Sequence, residues 1–291
     1  MKRLVIFAGY SEKQILHSYV IHYLNKLNEI SDVIVVFDNY FNNDTIDEIN
    51  KYAVKSISKH HGEYDFGSYK RGFVWALEND ILKKYDSLTF CNDSVFGPLY
   101  NIEKIYNNFD AHHSCDFWGM FKIVKKDIEH IQSFYTVFKK NVFESDCFRD
   151  FVLNITKLDT RDEIVTKYEY GLSKVLHNQG YCSKGLFYGE KYSARNFNAL
   201  DLIVDGFPFM KKAIFKQNER TVLDCNELSQ WMTVVNRNCF EYNSEYVLEY
   251  LKNEGLLSEY EKMISVSLFR QFINKRNCKK EYACDSEYRR T

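Results

Sequence analysis

Three short, β-favouring apolar runs, Leu4–Phe7, Val33–Phe37 and Leu88–Cys91, stop at Gly9-Tyr10, Asp38-Asn39 and Asn92-Asp93-Ser94 and alternate with stretches of helical period. Runs this short with no polar face suit strands buried on both sides, and such strands are joined to parallel neighbours by crossover helices. The predicted class is α/β: an open, mostly parallel sheet flanked by helices.

The intervening pattern fills in the elements. Ile15, Leu16, Tyr19, Val20, Tyr23, Leu24 and Leu27 keep a helical period, and Ser11-Glu12-Lys13-Gln14 has the capping-box spacing that predicts a helix start there. Asn43-Asp44 can cap a helix carrying Ile46, Ile49 and Tyr52; a weak strand over 54–58, a glycine-bearing loop over 60–67 and a helix with Tyr69, Phe73, Trp75 and Leu77 follow. Beyond Pro98 the pattern becomes α+β, with strands at 117–120 and 131–138 and a helix over 165–177. From about Asn226 the chain reads as helices, with Val247, Leu248, Tyr250 and Leu251 before Gly255 and an apolar series from Met263 to Ile273 after it. The last 18 residues read as a polar, frayed tail. A domain is expected over 1–225, with two halves meeting near residue 100, and a helical extension over 226–291.

Charge and composition narrow the function classes. Thirty-nine Lys and Arg against 40 Asp and Glu give a net charge of −1, which leaves no electrostatic footprint for coating nucleic acid. A 45% hydrophobic and 16% aromatic content excludes global disorder. Leu4–Gly9 is too short for a signal-peptide core, and no run approaches the roughly 18 apolar residues of a membrane span. The eight cysteines form no zinc-ribbon or CxxC pattern, so reduced thiols and a cytoplasmic setting are expected. His60-His61 and His112-His113 are adjacent pairs, which do not easily turn both rings to one ion.

No P-loop, dinucleotide fingerprint, GxSxG elbow or HExxH motif occurs, which leaves carboxylate chemistry. Ligands of open parallel sheets bind outside the strands' carboxyl ends, so Gly9, Tyr10, Asp38, the 60–67 loop, Asn92 and Asp93 are expected on one edge. Asp93 at a strand end can offer oxygen to magnesium or manganese; Asn92 and Asp93 can equally cap the turn that follows. Glu63, Asp65, Lys70 and Arg71 surround Gly62 and Gly67, where the basic pair would suit a diphosphate or simply form a solvated first turn. Glu169 lies off the stripe of Ile164, Tyr168, Leu172, Val175 and Leu176, as a general base facing a cleft would, or as a surface glutamate favoured by the helix dipole.

Six blocks carry a resemblance beyond these patterns: Gly62-Glu63-Tyr64-Asp65-Phe66-Gly67-Ser68-Tyr69-Lys70, Asn92-Asp93-Ser94-Val95-Phe96-Gly97-Pro98, Cys115-Asp116-Phe117-Trp118-Gly119, His130-Ile131-Gln132-Ser133-Phe134, Tyr168-Glu169-Tyr170-Gly171-Leu172 and Pro208-Phe209-Met210-Lys211-Lys212. Their identity and order resemble the rhamnan synthesis protein F family of bacterial cell-surface polysaccharide assembly, from about residue 3 to about residue 225. The resemblance implies a GT-A-like glycosyltransferase with the sugar nucleotide over residues 1–100 and the acceptor over 101–225. It implies donor contacts at Gly9, Tyr10, Asp38, Asp65, Asn92 and Asp93, with Asp38 meeting the base or ribose. Asp93 takes the place of the DXD metal aspartate, with a divalent magnesium or manganese as cofactor. Asn92-Asp93-Ser94 holds one carboxylate where DXD has two, so Lys70 or Arg71 stands as a substitute at the leaving diphosphate.

Glu169 resembles the base of inverting members and Asp116 is the reserve. Trp118, His130 and Gln132 are implied acceptor or sugar contacts, although Trp118 and Tyr135 fit a core equally well. The implied reaction moves a deoxyhexose, L-rhamnose from a dTDP donor, to a growing or lipid-linked glycan. The basic residues Lys275, Arg276, Lys279 and Lys280 are expected to favour an anionic membrane at its inner face. A non-catalytic glycan-binding or scaffold subunit of the same fold and a nucleotidyltransferase are the competing readings.

Overall fold

The computed structural model describes residues 1–112, 114–125, 128–189, 199–215, 225–239 and 241–256. The first half runs β1 (Arg3–Gly9), α1 (Ser18–Asn28), β2 (Asp32–Phe37), α2 (Asn43–Asn50), β3 (Lys55–Ser58), α3 (Tyr64–Glu78), β4 (Ser87–Asn92) and β5 (Val95–Phe96). The second runs α4 (Ile102–His112), β6 (Phe117–Lys125), β7 (Ile128–Ile131), β8 (Tyr135–Lys139), α5 (Lys140–Phe143), α6 (Asp146–Leu153), α7 (Arg161–Ile164), a π-helical turn (Val165–Tyr170), α8 (Gly171–Asn178) and β9 (Ser183–Gly189). It closes with α9 (Ala199–Val204), β10 (Met210–Lys211), α10 (Cys225–Asn238) and α11 (Glu245–Glu254).

Hydrogen-bonded neighbours run in the order β3-β2-β1-β4-β8-β6-β7, with β9 also paired to β6. The strands β3, β2, β1 and β4 are parallel, β8 is antiparallel to both β4 and β6, and β9 is parallel to β6. This is the mostly parallel, helix-flanked sheet that the strand pattern predicts. The register sets Ala8 beside Asn92, Gly9 beside Phe37 and Phe37 beside Ser58, so four parallel strands end on one edge.

Every residue of β1 is buried, because both faces are covered. Val5 and Phe7 join a cluster with Tyr23 and Leu24 of α1, Tyr106 of α4, and Trp231, Val247 and Leu251 of α10 and α11. Leu4, Ile6 and Ala8 point the other way, with Phe66 and Phe73 of α3, Phe148 of α6 and Leu176 of α8. A Cβ on Gly72 would lie 2.5 Å from an Ile6 methyl carbon, so glycine at that position lets α3 lie close on β1. The helix α11 is strapped to the start of α1: Lys13 donates to the Asn253 carbonyl at 2.7 Å, and the Ser18 N–H donates to Glu249 at 3.2 Å. Gly255, at φ 77°, ends α11 in the left-handed conformation that glycine favours.

Local signals lose to tertiary contacts at several points. The capping-box spacing at Ser11 starts no helix there, because Asn39 grips Ser11 through both its N–H (2.9 Å) and its carbonyl (2.6 Å), and α1 begins at Ser18. The cap of α2 is Asn42, whose side chain accepts from the Thr45 N–H. The 60–67 loop is shorter than expected, since α3 starts at Tyr64 and takes Gly67 inside the helix. A turn over 132–134 splits the expected 131–138 strand into β7 and β8. The series from Met263 to Ile273 and the tail lie outside the described residues. Among the described residues no helix is long and apolar enough to cross a membrane.

Candidate functional site

The edge where β1, β2, β3 and β4 end gathers Gly9, Asp38, Asn92 and Asp93 as their strand positions require. Gly9 approaches the Phe37 ring so closely that a Cβ would lie 2.3 Å from it, and Tyr10 beyond it is half exposed. Asp38 is buried, and its carboxylate accepts from the His61 N–H at 2.5 Å and the Gly62 N–H at 3.0 Å, with His60 Nδ1 2.9 Å away. Its acceptors thus hold the 60–62 loop, and Asp38 shapes the wall of the crevice.

Asp93 sits at the middle of the edge. Lys212 Nζ is 2.9 Å from Asp93 Oδ2 and 2.7 Å from the Tyr19 hydroxyl, which itself donates to Asp93 Oδ2 at 3.2 Å. The ammonium is also seated between the rings of Tyr19 and Tyr250, 5.2 and 5.4 Å from their centroids. Its neighbour Lys211 lies 3.7 Å from the Phe134 ring centroid. Asn92 accepts from the Ser94 N–H and hydroxyl, an Asx turn, and donates to Asp65 at 2.6 Å. Asp65, in the first turn of α3, has its pKa raised to about 7 by burial and then by the Asp93 charge, against the pull of Lys211, Lys212 and Arg161.

Glu169 stands in the π-helical turn and reaches the bend between β7 and β8. One oxygen accepts from the Ser133 N–H at 2.8 Å and hydroxyl at 2.5 Å; the other is 3.5 Å from His130 Nε2. Burial pushes this carboxyl up, but the hydrogen bonds from His130 and Ser133 outweigh it and hold the pKa below the ordinary glutamate value. Ser133 is tied to the same edge, since Tyr69 donates to its carbonyl at 3.1 Å and Asn92 donates to the carbonyl of Phe134 at 3.2 Å. His130 is buried against the Tyr170 ring, 4.1 Å away. Gln132 donates its N–H to the Phe121 carbonyl, while its buried Oε1 has no hydrogen-bond partner among the described residues.

Four expected residues are committed to other partners. Lys70 donates to the Ile155 carbonyl at 2.8 Å, and Arg71 reaches back to the start of α3, where it pairs with Glu63 at 2.6 Å and donates to the Gly67 carbonyl, so both cations are already matched by other partners. Asp116 lies at the amino end of β6; Phe117 pairs with Phe138, which pairs with Leu88 near the start of β4, and this is the opposite edge of the sheet. There it accepts from the Cys182 N–H and from Asn141, and these bonds outweigh the upward push of burial to lower its pKa. Trp118 is stacked on Phe109 at 4.1 Å inside the core, because β6 is covered on both faces, and so it offers no surface to a sugar. The residues that sequence reasoning missed are Tyr19, taken as part of an apolar stripe, Ser133, and the Lys211-Lys212 pair, whose only signal was its place in the 208–212 block.

A divalent ion at Asp93 would need several oxygen ligands. Asp93 Oδ2 already accepts from Lys212 and Tyr19, Asn92 Oδ1 is spent on Ser94, and Asp65 is engaged by Asn92. No group of three His, Cys, Asp or Glu side chains suited to a metal occurs among the described residues. This donor set does not fit the implied magnesium or manganese.

A family model described as rhamnan synthesis protein F matches residues 33–280, past residue 225 and through both α10 and α11. A virulence protein, VirA, of Vibrio anguillarum is 24% identical over 197 residues, which are 56% of this chain; the chain spans 62% of the length of that curated relative. Among solved structures, the glycosyltransferase GlyE of Streptococcus pneumoniae TIGR4 is 11% identical with a TM-score of 0.44, over 88% of this chain and 64% of that one. A cytidylyltransferase of Leptospira borgpetersenii is 13% identical with a TM-score of 0.37, over 66% of this chain and 76% of that one.

Proposed function

The chain belongs to the rhamnan synthesis protein F family, and from that premise we propose that it is an inverting glycosyltransferase moving L-rhamnose from dTDP-rhamnose to a growing polysaccharide. The observation that carries this reading is the convergence of Gly9, Asp38, Asp65, Asn92 and Asp93, with Lys211 and Lys212 alongside, where four parallel strands end. The nucleoside would lie over Gly9, Tyr10 and the loop held by Asp38, with the diphosphate toward Asp93 and Lys212. The acceptor would enter beside the bend between β7 and β8, where Glu169 takes the proton of its attacking hydroxyl. The carboxylate state that Ser133 and His130 stabilise is the form a base must have before the reaction. One displacement at the anomeric carbon inverts its configuration.

The test is nucleotide release from dTDP-, UDP- and GDP-sugars with candidate acceptors, followed by the anomeric coupling constant of the product. The reading expects acceptor-dependent release, greatest with dTDP-rhamnose, and a product of opposite anomeric configuration. Preference for UDP or GDP donors would overturn the donor assignment, and retained configuration the single displacement. Sugar-nucleotide binding with neither hydrolysis nor transfer would favour a glycan-binding subunit. Location at an anionic membrane, carried by the basic residues of the tail, is part of the same proposal: flotation with anionic liposomes at low salt should fall when the chain is cut after Ile273. Equal flotation of the two chains would remove it.

A further inference from the structure

We propose that Lys212, oriented by Asp93 and Tyr19, supplies the positive charge that meets the leaving diphosphate, so that the reaction needs no divalent ion. The inference rests on the glycosyltransferase reading and deepens it. Three observations on separate segments carry it. The single strand-end carboxylate is already matched by an ammonium at 2.9 Å, the Asn92 oxygen beside it is spent on Ser94, and the ammonium is held by Tyr19 at 2.7 Å and by two ring faces.

The ammonium is also backed by α11. Tyr250 lies under it, and His17 packs against both Tyr19 and Tyr250, with its Nε2 3.3 Å from Glu254. A cation fixed this way need not reorganise when charge develops beside it, which is what makes electrostatic stabilisation effective in a partly buried site. Lys70 and Arg71, which sequence reasoning put in this role, are committed to Ile155 and Glu63.

The balanced step is as follows. The acceptor oxygen bonds to the anomeric carbon as the bond from that carbon to the β-phosphate oxygen breaks, and the bonding pair leaves with the phosphate. The acceptor hydroxyl proton passes to Glu169. The nucleoside diphosphate departs with one more negative charge than it carried in the donor, and Lys212 meets that charge while keeping its own proton. Asp93 acts here as a positioning residue: it aims the ammonium and is itself balanced by it.

The experiment has a binding arm and a turnover arm, both on the full chain. In calorimetry with dTDP, UDP and GDP in EDTA, wild type should bind its preferred diphosphate with a Kd within about twofold of that in magnesium. Lys212→Gln, which keeps a donor to Asp93 without the charge, should weaken binding about tenfold or more, and Lys212→Arg should restore most of it. In the turnover arm, EDTA should leave wild-type kcat within about twofold, and Lys212→Gln should lower kcat about 100-fold, the scale of losing one preorganised charge contact. Binding or turnover that is lost in EDTA and returned by magnesium or manganese would overturn the proposal, as would unchanged binding in a folded Lys212→Gln. Metal-free diphosphate binding that depends on Lys212, with no release from any sugar nucleotide, would leave the cation site standing and remove the transferase reading instead.

Discussion

Asp93→Asn is expected to lower kcat about 100-fold and to cost about 1–3 kcal/mol of stability. Both effects have the same origin. Asp93 and Lys212 are only 10% and 15% exposed at their side chains and are 2.9 Å apart, so removing the carboxylate charge leaves an ammonium with a weaker partner in a poorly solvated place. Breaking a fully buried pair costs about 3–5 kcal/mol, and Asn keeps a hydrogen-bond acceptor, which reduces the figure. The double variant Asp93→Asn/Lys212→Met removes the orphaned charge as well. Its stability in urea should recover toward wild type while its turnover stays low. If turnover recovered together with stability, Asp93 would be serving the fold alone.

Asp65 gives a second large effect, in pH dependence. Its native pKa of about 7 lies above the unfolded value of about 3.9, so between these values the native state holds a proton that the unfolded chain has released. Stability contributed by this group therefore falls as pH rises from about 4 to about 7 and is level above that. The full shift corresponds to about 4 kcal/mol, and partial solvation of the side chain brings the expectation to about 1–3 kcal/mol. Asp65→Asn removes the titration and keeps an oxygen for Asn92. It should be more stable than wild type by that amount at pH 8 and nearly equal to it at pH 4. The same stability difference at both pH values in urea unfolding would show that Asp65 does not titrate near neutrality.

The sheet was legible because buried parallel strands leave a local mark: the runs at 4–7, 33–37 and 88–91 are apolar throughout or nearly so, and the residues that end them are the ones gathered at the edge. What failed was direction and distance. Lys70 and Arg71 follow Asp65 by five and six residues, which on a helix of 1.5 Å rise puts their backbones about 7–9 Å down α3, and the Arg71 side chain that reaches back is matched by Glu63 and the Gly67 carbonyl. Asp116 precedes a correctly recognised strand, but the antiparallel β8 between β4 and β6 decides which edge its amino end meets, and no residue near Asp116 encodes that. Lys212 stood in a quoted block, but its place beside Asp93 was unreadable for a related reason. It is 119 positions from Asp93, and the two-residue pairing of β10 with β5 brings it there. Trp118 shows the ambiguity of aromatics: a strand covered on both faces buries every ring it carries.

The strap between α11 and α1 bears on how this chain is made. A ribosome delivers residues in order, so Phe7, Tyr23 and Val35 emerge early, yet the Trp231, Val247 and Leu251 side chains of their shared cluster come more than 190 residues later. At about 5–20 residues per second, that interval is on the order of ten seconds or more. One face of the growing sheet keeps only its early cover from α1 and α4 and waits throughout for α10 and α11, while the other, covered by α3, α6 and α8, can close well before it. Nascent chains stalled before residue 225 should therefore hold a chaperone that chains released after residue 256 have let go.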